Sequence, residues 1–85
     1  NLTQANLSGA TLTKIDLTEA NLTQANLSGV NLTNATLRKA DLSGANLTDA
    51  TLTRVYMRYA DLTGANLTGF TSTEVNLTEA KGLQS

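Results

Sequence analysis

The chain contains neither cysteine nor histidine and has very few aromatic residues. The first absence excludes disulfides and thiolate zinc sites, and the second excludes imidazole acid–base chemistry and serine–histidine triads. No apolar run approaches the roughly 20 residues that span a bilayer, and no segment has the pattern of a signal peptide. We therefore expect no cofactor, no metal and no membrane insertion, and we expect a cytoplasmic location.

The charges are sparse and nearly balanced. Six basic and 7 acidic residues leave a net charge of −1, which favours neither nucleic acid nor a basic partner. The sequence also shows no nucleophile–base pair, no metal-ligand cluster and no phosphate-binding loop. We expect a protein that is not an enzyme and that binds no nucleic acid.

What the chain has in excess is leucine and threonine, 15 of each in 85 residues. A leucine stands at every fifth position from Leu2 to Leu77, with Met57 in the same series. The residue two positions before each of these central positions is usually alanine. The residue directly before the centre is Asn, Asp or Thr, and the residue directly after it is Thr or Ser. The unit is A-[N/D]-L-[T/S]-x, repeated sixteen times. Its main exceptions are Ser72 at the central position, Tyr56 before it, and Arg38 and Arg58 after it.

A period of five matches neither a helix nor a plain strand. It matches a three-residue strand, here called a rung, followed by a two-residue corner. The leucine and the alanine two residues earlier then point to one side, and the residues flanking leucine point to the other. Stacked units share one apolar core, because no unit is stable alone. The predicted core is Leu2, Leu7, Leu12, Leu17, Leu22, Leu27, Leu32, Leu37, Leu42, Leu47, Leu52, Met57, Leu62, Leu67, Phe70 and Leu77.

A longer period of 20 indicates how many units close one coil. NLTQANLSGA at 1–10 recurs as NLTQANLSGV at 21–30. Four units per coil predict a square tube of about four coils, roughly 20 Å long at the usual strand spacing of about 4.8 Å. We assign 1–81 to this tube and 82–85 to a C-terminal tail, in which Leu83 is expected to lie over the last coil. Asparagine and threonine stacked on themselves are expected to form side-chain ladders between coils.

The sixteen A-[N/D]-L-[T/S]-x units resemble the pentapeptide-repeat family, whose units read A-[D/N]-L-x-x. The resemblance covers nearly all of residues 1–81. It implies an all-β solenoid, a right-handed quadrilateral parallel β-helix, whose hand the period alone does not fix. It further implies a non-catalytic structural or protein-interaction module of unassigned role, part of a larger bacterial, cyanobacterial-like protein. The partner is expected to be a protein, with end-to-end stacking or a homodimer as further forms of association.

The repeat is interrupted at residues 70–72, where a large residue and a small residue have exchanged places. Phe70 replaces the small residue two positions before Ser72, which replaces the central leucine. We expect the ring of Phe70 to fill the volume of the missing leucine and to be buried.

The fourth wall is the stack formed by 14–19, 34–39, 54–59 and 74–79, each a rung with its flanking corner residues. These four rows carry formal charges of −1, +2, +2 and −2. The two middle rows form a candidate docking patch, since Tyr and Arg are enriched at interface hot spots. The alternative is a face whose salt bridges neutralise themselves. The patch consists of Arg38, Lys39, Arg54, Tyr56, Arg58 and Tyr59.

Two other functions and one other origin remain as alternatives. The first is a DNA-mimicking regulator, as in the family's quinolone-resistance members that bind DNA gyrase, although this chain lacks their strong negative charge. The second is ice binding by the threonines of the third wall, whose rungs lie at 11–13, 31–33, 51–53 and 71–73. The third is a designed consensus repeat. Asp41 and Asp61 stack and can share a cation, but a lone carboxylate pair is more often solvated.

Overall fold

Residues 20 apart in the sequence pair with each other along the whole stack. The computed structural model describes residues 2–82, apart from the side chain of Ser72. Asn6 pairs with Asn26, Asn26 with Asn46 and Asn46 with Asn66, each as a parallel bridge. The backbone hydrogen bonds that join equivalent rungs measure 2.7 Å from Leu47 N to Asn66 O and 2.9 Å from Asn46 N to Ala25 O. Each stretch of 20 residues therefore makes one coil, with four units in it.

The third wall carries the two named strands. β1 (Thr51–Thr53) and β2 (Thr71–Thr73) are three residues each and pair in parallel, with Thr51 opposite Thr71 and Thr53 opposite Thr73. Elsewhere within residues 2–82 the rungs meet through single bridges. A three-residue rung leaves little room for more pairing before the next corner.

The corners are β-turns with one residue in the left-handed region. Ala25 N donates to Leu22 O at 3.0 Å, and equivalent bonds close the turns at Ala45 and Ala60. The residue before each inward small residue has a positive φ, as at Asn34 with 63° and Gly29 with 66°. Positive φ at the third turn position is the sign pattern of a type II turn, which favours glycine and accepts asparagine. The left-handed conformation explains why glycine recurs at this position, although 11 non-glycine residues adopt it too.

The core lies on the axis of the stack. The inward positions of the middle rungs are fully enclosed: Leu22, Ala25, Leu27, Val30, Leu32, Ala35, Leu37, Ala40, Leu42, Ala45, Leu47, Ala50, Leu52, Val55, Met57, Ala60 and Leu62. Some predicted core residues are only partly buried, because a coil covers them on one side alone. These are Leu2, Leu7, Leu12, Leu17, Leu67, Phe70 and Leu77.

The ring of Phe70 is less enclosed than the sequence predicts. It packs against the core but stays partly exposed. With Leu67, Val75 and Leu77 it lines an apolar opening over Met57, at the end of the stack. Within residues 2–82 only Lys81 and Gly82 continue past this coil, where Lys81 pairs with Asp61, so the ring has one side toward water. The predicted cover by Leu83 lies outside the described residues.

The asparagine and aspartate side chains of the rungs bond chiefly within their own rung, and not chiefly between coils as expected. Asn26 Oδ1 accepts from Ser28 N at 3.1 Å and from Ser28 Oγ at 2.9 Å. Asp61 Oδ1 accepts in the same way from Thr63 N and Thr63 Oγ1, at 3.0 and 2.6 Å. A short side chain reaches the residue two positions on more easily than the next coil, as in other Asx motifs. These bonds explain the [N/D]-L-[T/S] part of the unit.

These same bonds predict an acid dependence of stability. Hydrogen bonds from Thr18, Ser43 and Thr63 lower the pKa of Asp16, Asp41 and Asp61, in that order. A carboxylate with a lowered pKa stabilises the fold above its unfolded pKa of about 3.9, and this contribution is lost as the pH falls through the folded pKa.

We therefore expect the triple variant Asp16→Asn, Asp41→Asn, Asp61→Asn to be less sensitive to acid than the wild type. Asparagine keeps the Oδ1 acceptor and does not titrate. Denaturant unfolding at neutral pH should give similar free energies for both proteins, while below about pH 4 the wild type should lose more. The matched alanine triple variant, which lacks the acceptor, should have a lower free energy of unfolding both at neutral pH and in acid. Parallel losses in acid for the wild type and the asparagine variant would contradict this explanation.

Candidate functional site

All six residues of the docking patch lie on the outer face of the fourth wall and are exposed. Thr36 pairs with Tyr56, which fixes the register of the two middle rows. Lys39 N donates to Arg58 O at 2.8 Å, so the backbones of these rows are directly bonded. Residues 20 apart thus stand side by side, about 4.8 Å apart along the stack. The structure therefore brings the six residues together on one surface.

The side chains of the patch make few contacts, and those are weak ones. The guanidinium carbon of Arg58 lies 5.4 Å from the ring centroid of Tyr59, which is a cation–π contact. Arg54 Nε donates to Asn34 Oδ1 at 3.0 Å across the corner between coils. Tyr56 is 57% exposed and Tyr59 is 41% exposed, and they are the large hydrophobic residues that the described chain exposes. The patch presents cations and aromatic rings together to water.

Among the described residues, the positive charges of the patch have no carboxylate partner. Within residues 2–82 no ion pair joins these cations to the acidic residues of the outer rows. The salt-bridge alternative requires such pairs on this wall. The charge of the middle rows is therefore left to solvent or to a binding partner.

The backbone beneath the patch is bonded to the neighbouring coils. Leu37 N donates to Tyr56 O at 2.7 Å, and Met57 N donates to Asn76 O at 2.8 Å. The side chains of Leu37 and Met57 are buried in the core. A partner on this wall can meet side chains but cannot add a strand to these rungs, since the wall has no free edge here.

The other candidate sites offer less. Asp41 and Asp61 pair across two coils, but the described residues contain no group of three or more metal-ligating side chains. On the third wall, Asn31 interrupts the threonine array, and Arg54 stands at its corner. No helix long and apolar enough to span a membrane occurs between residues 2 and 82.

One feature of the site was missed from the sequence. The bond between Arg54 and Asn34 ties the two middle rows together at the corner. The signal was available, because the two residues are 20 apart and share the same corner. Their side chains are both polar and face each other across one coil spacing.

Comparison with known proteins gives a consistent result. A family model for pentapeptide repeats matches the chain in eight copies, over residues 1–38 and 31–69. A crystal structure of a pentapeptide-repeat protein from Nostoc PCC 7120 is 38% identical, with a TM-score of 0.75 and 92% of this chain covered. A pentapeptide-repeat protein of the Arabidopsis thaliana thylakoid lumen is 31% identical, with a TM-score of 0.79 and 94% of this chain covered.

The match covers these two relatives only in part. It spans 60% of the Nostoc chain and 59% of the Arabidopsis chain. No curated protein matches the chain.

Proposed function

The chain belongs to the pentapeptide-repeat family, and from that premise we propose that it is a non-catalytic protein-interaction module that docks a partner on its fourth wall. The solved relatives are pentapeptide-repeat proteins, and this fold is a right-handed quadrilateral β-helix. We assign the same hand to this chain, with about four coils over residues 1–81 and a tail at 82–85. The match to only 59–60% of these relatives supports a place within a longer protein. We also propose a cyanobacterial origin, which the Nostoc relative supports.

One observation carries this proposal: the repeat is broken on its outer face at the place where the positive charges have no ion-pair partner within residues 2–82. Arg38 and Arg58 replace the threonine or serine that stands after the central residue in the other units. Tyr56 takes the place of the usual Asn, Asp or Thr. Neither replacement is needed for stacking, since every other wall stacks without them. The two arginines stand one coil apart, and their repulsion of up to about 1 kcal/mol in water needs an offset.

A partner of negative charge would provide that offset. The contact between Arg58 and Tyr59 supplies only about 0.5–1 kcal/mol at an exposed site. The sign of the patch also separates this chain from a DNA mimic, whose surface has to be negative. An anionic surface on another protein is therefore the partner that the patch fits.

The double variant Arg38→Thr/Arg58→Thr restores the repeat and tests the proposal. We expect it to be as stable as the wild type or more so in denaturant unfolding, because it removes a repulsion and no ion pair. On immobilised poly-glutamate it should elute at a lower salt concentration than the wild type. Lys14→Asn/Lys81→Asn is the matched control, since it removes the same charge outside the patch and should elute later than the arginine variant.

Two results would count against the docking function. A loss of more than about 1 kcal/mol in the arginine variant would place these residues in a structural charge network. Equal elution of the arginine variant and its control would show that net charge alone governs retention.

A further inference from the structure

The charges of the fourth wall are arranged in bands that run across the stack. The two middle rows carry Arg38, Lys39, Arg54 and Arg58, all exposed and all without a carboxylate partner in the described chain. The row before them carries an excess of negative charge, and the row after them carries Glu74 and Glu79. A positive band two rows deep is thus bounded by acidic rows on both sides.

The rows are close enough for the acidic outer rows to repel an anion that extends beyond the positive band. Neighbouring rows lie about 4.8 Å apart. Screening in physiological salt acts over about 8 Å, so the carboxylates of an outer row reach charges held over the middle rows. An anionic ligand that runs along the stack meets attraction over two rows and repulsion over the other two. One that runs across the stack stays over the positive band for its whole length.

The aromatic residues add an apolar element to the same band. Tyr56 and Tyr59 lie in one row with Arg54 and Arg58, and both rings are largely open to contact. Tyrosine combines an apolar ring with a polar hydroxyl, which suits a peptide that carries both acidic and apolar side chains. The rung backbone beneath them is bonded to the neighbouring coils, so the ligand cannot join the wall as an added strand and meets mainly side chains.

We propose that the ligand of the fourth wall is a short acidic segment of a partner protein that contains an apolar residue and crosses the wall parallel to its rungs. This inference rests on the proposed docking function and specifies its ligand. The acidic outer rows select against long polyanions that extend along the stack. An extended segment of about six residues spans some 20 Å. The molecule measures 26 × 23 × 20 Å, so such a segment does not extend beyond it in any direction.

The test compares a short and a long acidic ligand on three forms of the protein. The short probe is a capped hexapeptide, Glu-Glu-Leu-Glu-Glu-Gly, and the long probe is four copies of it in one chain. A 12-base-pair DNA duplex serves as a third, rigid polyanion. The proteins are the wild type, Arg38→Thr/Arg58→Thr, and a variant with neutral outer rows, Glu19→Gln/Glu74→Gln/Glu79→Gln, in which Lys14 and Asp16 balance each other. Calorimetry gives each dissociation constant at physiological salt, and unfolding curves check that each variant is folded.

We expect the hexapeptide to bind the wild type and to bind the arginine variant at least about tenfold more weakly. On the wild type the long peptide should gain no more than about fourfold, the statistical factor for four equivalent copies. On the variant with neutral outer rows the long peptide should gain about tenfold over the hexapeptide, because the repulsion along the stack is gone.

The contrary results separate the two proposals. If the long peptide or the duplex binds the wild type far more than fourfold tighter, and neutral outer rows change both peptides alike, the outer rows select nothing. This inference is then overturned, while a loss in the arginine variant leaves the docking function standing. If no anion binds, or if the arginine variant binds the hexapeptide as the wild type does, both proposals fail.

Discussion

Replacing Leu32 by alanine is expected to lower the free energy of unfolding by about 3–5 kcal/mol. Leu32 is fully buried in the middle of the stack, with coils on both sides. The rungs are held by backbone bonds above and below, so the walls cannot collapse into the space that the side chain leaves. The cost then includes a cavity as well as the lost burial. Since small domains are stable by only about 5–15 kcal/mol, the variant should melt well below the wild type.

Leu12→Ala is the matched control, because Leu12 occupies the same wall one coil earlier. Leu12 is only partly buried, with a described coil on one side. Its loss should therefore be clearly smaller, about 1–2 kcal/mol. Denaturant unfolding of both variants measures the difference. Equal losses would mean that Leu12 is enclosed in solution, so that something covers the first coil.

Replacing Gly29 by proline is expected to cost about 3 kcal/mol or more. Gly29 forms a corner with a φ of 66°, whereas the proline ring holds φ near −65°. Its N–H also donates to Thr48 O at 2.8 Å, and proline has no such donor. The chain contains no proline at all, in keeping with a fold that turns every five residues through a positive φ.

Gly29→Asn distinguishes this backbone effect from a steric one. A Cβ at position 29 would meet only the backbone of Gly9, at 3.9 Å, which is ordinary contact. Asn34 already occupies an equivalent corner with a φ of 63°. We expect the asparagine variant to lose less than about 1 kcal/mol. A loss as large as that of the proline variant would show that the space at the corner, and not its φ, limits the sequence.

The sequence predicts the repeating geometry well because one short pattern is written sixteen times. The five-residue period fixes which side chains point inward, and the pairing of Asn6 with Asn26 agrees with the 20-residue period. The unit alone does not reveal how its polar residues are used. Asn26 was expected to bond to the next coil, but the residue two positions on, Ser28, is nearer.

The sequence of a single unit does not show whether that unit lies in the middle of the stack or at its end. Leu2 and Leu32 have the same local sequence pattern, yet only Leu32 has neighbours on both sides and is fully buried. Phe70 is partly exposed for the same reason, since it lies in the last described coil. For the docking patch, the period placed Arg38 beside Arg58, but only the side-chain positions exclude a carboxylate partner within residues 2–82.

The most direct test of the docking function is to map where an acidic peptide touches the protein. Two-dimensional NMR of the ¹⁵N-labelled protein, titrated with the capped hexapeptide, reports on each backbone amide in turn. We predict that the shifts are confined to the middle rows of the fourth wall, at Arg38, Lys39, Arg54, Tyr56, Arg58 and Tyr59. Shifts that centre on the third wall or on the apolar opening around Phe70, with the fourth wall unchanged, would contradict it.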